Sequence, residues 1–250
     1  MDLRTAAEQL GVHYQTAYGW VRSGELEAVK RPSGYHVSEE AVARLDAARR
    51  APSPPPTQAR VRDWERQSDR FYLRLVAGDE TGARRVVERL AKAPVDVVTM
   101  CENLFAPVLY RIGATWAAGS LSVAEEHRAS AICERLLARM DLRPAGRPRG
   151  VCVVATLQGE QHGLPALMAS AALRSHHWHV HHLSTQVPVN DLAALARSEG
   201  ADFVVISATR SETVAAAEVA AAVVRWSTGR PVYIGGPGAS LRSLIDFANG

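Results

Sequence analysis

The chain has 250 residues, of which 47% are hydrophobic and 22% charged, a composition typical of a globular protein rather than a disordered or fibrous one. Its formal net charge of +3 is mild, and no apolar run approaches the roughly 20 residues that a membrane span requires. Three cysteines without CxxC spacing argue against a zinc ribbon or a disulfide framework. No signal-peptide pattern precedes the first predicted helix, so we expect a cytoplasmic protein without a membrane partner.

Two stretches rich in proline divide the chain. Residues 51–58, APSPPPTQ, hold four closely spaced prolines, which cannot continue a helix and favour an extended linker. Residues 143–150, RPAGRPRG, form a second boundary. The predicted organisation is an N-terminal domain at 1–50, a linker at 51–60, a helical domain at 61–148 and an α/β domain at 149–250.

The N-terminal domain has the pattern of a winged helix-turn-helix. The predicted order is helix, helix, hairpin, helix, at residues 3–10, 13–22, 28–37 and 38–45. Gly11 suits the left-handed end of the first helix, Pro32-Ser33-Gly34 suits the turn of the hairpin, and Ser38 is placed to cap the last helix. The domain contains seven basic and seven acidic residues, so side-chain placement and oligomerisation, rather than bulk charge, must support DNA binding.

The second helix of this domain is predicted to enter the major groove of DNA. Gln15 can contact an adenine edge through two hydrogen bonds, and Arg22 can reach a phosphate or a guanine. Leu10 and Trp20 are expected to pack in the small core instead. The candidate DNA-binding residues are His13, Tyr14, Gln15, Thr16, Tyr18, Arg22, Lys30 and Arg31. The partner that they imply is a double-stranded DNA operator.

Two segments of the domain, AYGWVRSGEL at 17–26 and GYHVSEEAV at 34–42, resemble the excisionase and MerR winged-helix group. The excisionase type is the more similar, because MerR proteins usually carry an Arg-Tyr pair where this chain has Tyr18-Gly19. The resemblance implies DNA binding through these first 50 residues. From the residues alone, a helical module that binds another protein is the alternative.

The second domain shows helical spacing throughout. Phe71 with Leu75, and Val86 with Val87 and Leu90, mark two apolar helix faces. Two longer helices are predicted at residues 95–116 and 123–140. Four helices joined by short loops favour a four-helix bundle.

From residue 151 onward the pattern alternates between strands and helices. Strands are predicted at 151–155, 178–183, 203–207 and 232–234, and helices at 164–174, 189–198 and 213–226. This alternation predicts a doubly wound, Rossmann-like parallel sheet, which binds ligands at the carboxyl ends of its strands. A fourth helix should follow the last strand, and a fifth strand is either absent or formed by the final residues.

Polar residues and glycines follow three of these strands. His162 lies in the loop after the first strand, and Glu160 is close enough in sequence to hold one ring nitrogen and strengthen the other as a metal ligand. Ser207 and Thr209 end the third strand, where their hydroxyls can reach the same network. Gly235-Gly236 ends the fourth strand, where the missing side chains let the backbone approach a bulky ligand.

This order of Glu-x-His, Ser-x-Thr and Gly-Gly resembles the cobalamin-binding domain of methionine synthases, corrinoid carriers and cobalamin-dependent regulators. The resemblance implies that His162 coordinates cobalt from below, with Glu160 behind it. The residues that it assigns to the pocket of the dimethylbenzimidazole tail are Ser207, Thr209, Gly235 and Gly236. The chain departs from the family at Pro165, which replaces a glycine and adds bulk near the tail.

Trp116, nine further residues and then Glu126-His127 resemble a signature of the CarH/LitR light-sensing regulators. The resemblance implies a helical cap over the upper corrin face, with these three residues around an adenosyl group, and so implies adenosylcobalamin. Many members carry a histidine directly after the tryptophan, where this chain has Ala117. Without the resemblance, Trp116 would belong to the bundle core and Glu126-His127 to a solvated face.

A histidine-rich run, HHWHVHH at 176–182, invites a metal-site interpretation. His177, His179 and His181 would share one face of a strand, and three histidines can bind zinc. The run also forms the predicted second strand of the sheet, so adventitious metal binding is the favoured interpretation.

Together these patterns predict a regulator without catalytic residues. Bound cobalamin would set its assembly into dimers or tetramers and thereby its affinity for DNA, with light as a signal that the resemblance implies. The alternatives are a corrinoid methyl-carrier of a methyltransferase system, which the winged helix does not fit, and a regulator that has lost cobalamin.

Overall fold

The computed structural model describes residues 1–23, 26–31, 34–50, 63–93, 95–140 and 146–250. The chain forms two compact units, Met1–Gln58 and Ala59–Gly250. The predicted linker at 51–60 lies outside the described residues, as do Pro32 and Ser33 of the predicted hairpin turn. The two units are described separately below.

The described residues of the N-terminal unit form three helices and one antiparallel hairpin. Its elements are α1 (Leu3–Gln9), α2 (Tyr14–Ser23), β1 (Ala28–Arg31), β2 (Gly34–Val37) and α3 (Glu39–Arg50). The side chain of Asp2 caps α1, and the hydroxyl of Ser38 accepts from the amide of Ala41 at the start of α3. The order of elements agrees with the prediction, but α3 continues to Arg50 and not only to Leu45.

A small apolar core holds this unit together. Leu3, Leu26 and Val37 are buried in it, and the predicted core residues Leu10 and Trp20 pack against it. These contacts join α1, α2 and the hairpin through burial of apolar surface, so the exposed side of α2 is left for other partners.

The second unit begins with a helical region. Its elements are α4 (Trp64–Val76), α5 (Glu80–Ala91), α6 (Val97–Met100), a π-helical segment (Cys101–Phe105), α7 (Ala106–Ala117) and α8 (Val123–Arg139). Phe71 and Phe105 meet edge-on in its core, with ring centroids 5.2 Å apart. Ser122 and Glu125 form a capping box at the start of α8.

The prediction of one uninterrupted α-helix at 95–116 was wrong at the π-helical segment. Pro107 has no amide hydrogen, so it cannot donate to the carbonyl of Asn103 as an α-helix requires. The hydroxyl of Ser68 on α4 donates to that carbonyl instead, over 3.1 Å. The wider π turn thus accommodates a proline inside a long helix while its freed carbonyl remains bonded.

The rest of the second unit is a parallel α/β domain. Its elements are β3 (Val151–Thr156), α9 (Leu164–Ser175), β4 (His179–His182), α10 (Val189–Ser198), β5 (Phe203–Ser207), α11 (Ser211–Thr228), β6 (Val232–Gly235) and α12 (Leu241–Asn249). The strand order is β4-β3-β5-β6, with every pair parallel. The described part of this domain has no fifth strand, because the final residues form α12.

Alternating residues of the central strands face two different helix layers. Val153 and Ala155 pack toward α10 and α11, whereas Cys152 and Val154 pack toward α9 and α12. The α9 side also meets the helical region, because Met168 of α9 lies in the helical core. Helices therefore cover both faces of the sheet, as is usual for a parallel sheet.

The three cysteines are buried free thiols. They are Cys101, Cys133 and Cys152, and burial raises the pKa of each thiol to about 12. Within the described ranges, none of the helices has both the length and the apolar character of a bilayer span.

Candidate functional site

The loop after β3 holds Glu160 in a fixed position. Gly159 has a φ of 90°, a left-handed conformation that glycine adopts at little cost. The side chain of Gln186 accepts from the amide of Gly159 over 3.2 Å and donates to the carbonyl of Glu160 over 3.1 Å. The loop is therefore tied to the segment after β4 and presents the carboxylate of Glu160, which is 2% exposed, to the neighbouring strand ends.

The buried carboxylate of Glu160 accepts hydrogen bonds from two directions. Its Oε1 accepts the amide of His162 over 3.0 Å and lies 2.5 Å from Nδ1 of the imidazole. Its Oε2 accepts the amide and hydroxyl of Thr209 over 2.8 and 2.7 Å, and the hydroxyl of Thr213 over 2.8 Å. Burial by itself would raise the pKa of this carboxyl, but the hydrogen bonds from Thr209, His162 and Thr213 lower it to about 2.

His162 is thereby oriented for a ligand above the strand ends. With Glu160 ionised, Nδ1 carries the hydrogen and donates to the carboxylate, which leaves the lone pair on Nε2. Its side chain is 60% exposed, and no hydrogen bond to Nε2 occurs within the described part of the chain. The arrangement offers a basic, preoriented nitrogen to a metal centre.

Two predicted hydroxyls play different parts in this geometry. Thr209 joins the network and also lies 3.0 Å from Nδ1 of His162, as the sequence analysis expected. Ser207 was expected in the same network, but it is buried on the strand face that packs against α9 and α12. No hydrogen bond joins the hydroxyl of Ser207 to Glu160, His162 or Thr209 in the described part of the chain.

Thr213 was missed by the sequence analysis. It lies in the first turn of α11, where its hydroxyl is within donating distance of Oε2 of Glu160, at 2.8 Å, and of the carbonyl of Arg210, at 2.9 Å, which share its single hydrogen. The sequence did contain a signal for this contact, because a threonine near the start of a helix often bonds the preceding loop. Here the helix begins shortly after Thr209.

The carboxyl edge of the sheet contains a second polar group. Thr156, Ser207 and Gly235 lie side by side in register across β3, β5 and β6. Oγ1 of Thr156 is buried without a hydrogen-bond partner among the described residues, which is costly unless another molecule supplies one.

The next position, Gly236, has a purely steric requirement. A Cβ atom there would lie 2.8 Å from the carbonyl oxygen of Ala208, so only glycine fits this close backbone approach.

Pro165 occupies the first turn of α9, where a missing amide hydrogen costs nothing.

The three candidate cap residues lie on consecutive helices. Trp116 is in the last turn of α7 and is 48% exposed, and Ala117 ends that helix. Glu126 on α8 lies 2.5 Å from Nδ1 of His127 and accepts from the hydroxyl of Ser130 over 2.6 Å. No hydrogen bond or ring contact joins Trp116 to the Glu126-His127 pair in the described helices.

The candidate DNA-binding residues lie on α2, before it and on β1. Nδ1 of His13 accepts from the amide of Gln15 over 3.3 Å at the start of α2. Tyr18 stacks on Tyr14, with ring centroids 6.3 Å apart, and meets Tyr35 of the hairpin edge-on at 5.8 Å. All eight candidate residues are exposed: His13, Tyr14, Gln15, Thr16, Tyr18, Arg22, Lys30 and Arg31.

The histidine-rich run does not form the row of three that its spacing predicted. His177 has a φ of 67° and precedes β4, so it lies outside the strand. His179 and His181 do share a face, with ring centroids 4.8 Å apart, and Nε2 of His181 lies 3.4 Å from Glu199. The described residues contain no group of three side chains that could hold a metal ion.

Comparison with known families places these features in context. A helix-turn-helix domain family matches residues 1–49, and two B12 binding domain families match residues 67–140 and 150–243. The chain therefore combines a helix-turn-helix domain with B12-binding domains.

Similar proteins share this organisation or part of it. The chain is 26% identical to the HTH-type transcriptional repressor CarH of Myxococcus xanthus in an alignment of 273 positions, gaps included, which covers 97% of this chain and 91% of that protein. Among solved structures, a monomethylamine corrinoid protein of Methanosarcina barkeri has a TM-score of 0.56 and 13% identity, covering 72% of this chain and 89% of that one. At this identity the second likeness concerns the fold alone.

The residues of the site fit a cobalamin. Nε2 of His162 is the kind of nitrogen that cobalt accepts, and its orientation is fixed by Glu160. The unpartnered hydroxyl of Thr156 lies at the same sheet edge, where the nucleotide tail of a cobalamin could supply its missing partner.

Proposed function

We propose that this chain is a DNA-binding transcriptional regulator whose assembly and DNA affinity are set by bound cobalamin, with adenosylcobalamin as the natural form. The observation that carries the proposal is the hydrogen-bonded set of His162, Glu160, Thr209 and Thr213, which presents one free imidazole nitrogen. It occurs in a chain that also carries a helix-turn-helix domain. We propose that the chain performs no catalysis and acts in the cytoplasm.

In this proposal the α/β domain would hold the cofactor. His162 would bind cobalt through Nε2, while Glu160 keeps the imidazole in the required tautomer. Ser207 and Gly235-Gly236 line the space for the dimethylbenzimidazole tail, and Thr209 both closes that space and holds the carboxylate.

The helical region acts as a four-helix cap over the opposite face of the corrin. Trp116, exposed at the end of α7, supplies a large aromatic surface for the adenosyl group. The polar pair Glu126-His127 borders the same space. When bound, adenosylcobalamin would supply a cobalt–carbon bond that is sensitive to visible light, and the side chain of Ala117 would offer no donor atom to the metal.

The N-terminal unit acts as a winged helix-turn-helix. Helix α2 enters the major groove, where Gln15 reads a base edge and Arg22 contacts a phosphate or guanine. Lys30 and Arg31 of the hairpin contact the DNA backbone. Because each unit carries no net charge, dimers or tetramers that place several units on one operator supply the affinity.

Absorption spectroscopy with gel shifts tests the proposal. The purified chain should take up adenosylcobalamin and give the spectrum of a histidine-ligated cobalt, and His162→Ala should lose that spectrum. DNA binding should differ between apo, dark and illuminated samples. An unchanged spectrum in His162→Ala, or a DNA affinity that ignores cobalamin, would contradict the proposal.

The corrinoid-protein fold makes a methyl-carrier the second candidate function. A methyl-carrier uses the same type of cobalamin module, but the helix-turn-helix domain has no role in methyl transfer. A regulator that has lost cobalamin is the third candidate, with Pro165 as its reason. Failure to bind any cobalamin would favour the third candidate, and cobalamin binding without any DNA shift would favour the methyl-carrier.

A further inference from the structure

Helix α11 is apolar on both of its long faces. Its sequence, SETVAAAEVAAAVVRWST, contains few polar residues between Ser211 and Thr228. One face packs against the sheet through Ala217, Ala221 and Val224. A helix with two apolar faces ordinarily buries both of them, yet in the described part of the chain only this first face of α11 is covered.

The uncovered side forms a continuous stripe, here called the α11 apolar face. It consists of Ala215, Ala216, Val219, Ala222, Val223 and Trp226. Trp226 is 89% exposed and Val219 is 69% exposed. The positions recur at intervals of three, four and seven residues, which is the spacing of a helix that packs along another helix.

Exposure of this stripe is unfavourable in water. Burying a large apolar side chain is favourable relative to leaving it exposed, and contiguous exposed apolar patches mark interaction surfaces. A tryptophan in this position is the type of residue that anchors protein interfaces.

We propose that the α11 apolar face binds the same face of a second copy of this chain, with the two α11 helices antiparallel around a two-fold axis. The inference rests on the proposed function in one respect, since it names the surface through which the proposed self-association takes place. A two-fold contact is isologous, so one surface must complement itself.

The shape of the α11 apolar face suits such a contact. Small residues, Ala215 and Ala216, lie near the start of the helix, and the large Trp226 lies near its end. In an antiparallel pair the start of one helix lies beside the end of the other. Each indole therefore packs over the alanines of the opposite copy, and large meets small on both sides of the axis.

The charges beside the face are complementary in the same orientation. Glu218 and Arg225 lie seven residues apart and so share one flank of the helix. A two-fold axis brings this flank of one copy beside the same flank of the other, with the direction reversed. Glu218 then lies near Arg225 of the second copy, and the pair occurs twice.

Both charged groups are suited to this pairing. No described residue forms an ion pair with Glu218. Arg225 donates to the carbonyl of Val232 over 3.1 Å, which holds its side chain at the end of α11. A parallel two-fold pair would instead place the two copies of this flank on opposite sides of the contact, so that Glu218 and Arg225 of different copies would not meet.

One helix pair buries less surface than the roughly 800 Å² per partner of a standard interface. The contact is therefore expected to be weak by itself. Weak association suits an equilibrium that a bound cofactor must shift, because a modest change in free energy then changes the population of the assembly.

Sedimentation velocity on the full chain tests the inference, measured over a range of concentrations with and without adenosylcobalamin in the dark. Val219→Glu places a carboxylate at the centre of the contact and should weaken self-association at least about tenfold. Leu73→Glu is the control, because Leu73 is an apolar residue on α4 with a similar exposure of 64%. It should associate like the parent chain.

A charge exchange tests the antiparallel arrangement separately. Glu218→Arg and Arg225→Glu should each weaken association, and the double variant should restore it, because the pairs are re-formed with reversed signs. Binding of adenosylcobalamin, followed by its absorption spectrum, verifies that each variant is folded.

The outcomes distinguish the inference from the proposed function. If the parent chain assembles and Val219→Glu assembles equally well, the α11 interface is wrong while cobalamin-controlled assembly stands. Failure of the double charge variant to recover, when both single variants are weakened, would exclude the antiparallel arrangement. A parent chain that is monomeric in every sample would overturn the interface and the assembly part of the proposed function together.

Discussion

The hydroxyl of Thr213 donates to Oε2 of Glu160 over 2.8 Å, although 53 residues separate the two in sequence. Through this bond the first turn of α11 supports a carboxylate in the loop after β3, and the carboxylate in turn supports His162. The orientation of the exposed imidazole thus depends on packing between elements far apart in the chain.

Replacing Thr213 by valine should weaken cobalamin binding. The substitution keeps the shape of the side chain but removes one donor to Glu160, and loss of a group behind a metal ligand typically costs 10–100-fold in affinity. Spectrophotometric titration measures the change. Thr228→Val is the control, because the hydroxyl of Thr228 bonds only within α11 and to its end. Equal affinities for the two variants would contradict the role of Thr213.

The low pKa of Glu160 predicts a specific dependence of stability on pH. The pKa is lowered from 4.5 to about 2 in the folded chain, so the ionised form stabilises the fold above the unfolded value and this contribution is lost as pH falls toward 2. Glu160→Gln removes the titration. We expect the variant to be less stable by roughly 2–3 kcal/mol at pH 6, with the difference shrinking between pH 4.5 and 3.

Urea unfolding of the parent chain and Glu160→Gln across this pH range measures the effect. Glu125→Gln provides a comparison, because Glu125 is an exposed capping residue whose pKa is lowered by the hydroxyl of Ser122. A stability difference for Glu160→Gln that stays constant from pH 6 to pH 3 would mean that the carboxyl does not titrate as expected.

The two neighbouring glycines after β6 should respond differently to alanine. A Cβ at Gly236 meets the Ala208 carbonyl at 2.8 Å, whereas a Cβ at Gly235 has its nearest neighbour at 3.9 Å. We expect Gly236→Ala to cost about 1–3 kcal/mol of stability, since overpacking moves the backbone. Gly235→Ala should fold normally, and thermal unfolding compares them. Equal melting temperatures would show that the strand ends adjust freely.

Single substitutions should distinguish the proposed base contacts of the N-terminal unit from its proposed phosphate contacts. Gln15→Ala should reduce discrimination between operator sequences by about 1–3 kcal/mol, because it removes a base contact. Lys30→Ala should weaken binding to all sequences similarly and lower the salt slope by about one. Fluorescence anisotropy at several salt concentrations measures both. The assignment fails if Lys30→Ala changes sequence preference while Gln15→Ala changes only the salt slope.

Much of the architecture was predictable because it rests on short-range patterns. The alternation of strands and helices from Val151 onward follows from the local switch in periodicity. The Glu160–His162 contact was also predictable, since only two residues separate the partners. Thr213 was not recognised, because its link to Glu160 depends on how β3 and α11 are brought together.

Other misses have local causes that a periodicity argument does not detect. Pro107 was a visible helix breaker, but the π turn also needed the hydroxyl of Ser68 as a replacement donor. His177 was assigned to a strand by spacing, whereas its left-handed backbone places it in the preceding turn. Ser207 was placed in the right strand, but its hydroxyl was expected in the network around Glu160, which the chain reaches only beyond the end of β5, at Thr209.

The π-helical segment has a consequence for the direction in which Trp116 points. An α-helix rotates by about 100° per residue, and a π turn accommodates one residue more than an α turn. The stretch before the segment and the stretch after it are therefore out of phase: Val98 faces the sheet core, whereas Val108 and Ile112 face the helical core. The spacing of the residues before Cys101 therefore cannot be extended to find the direction of Trp116. That direction follows from α7 alone, where Trp116 lies one turn after the buried Ile112.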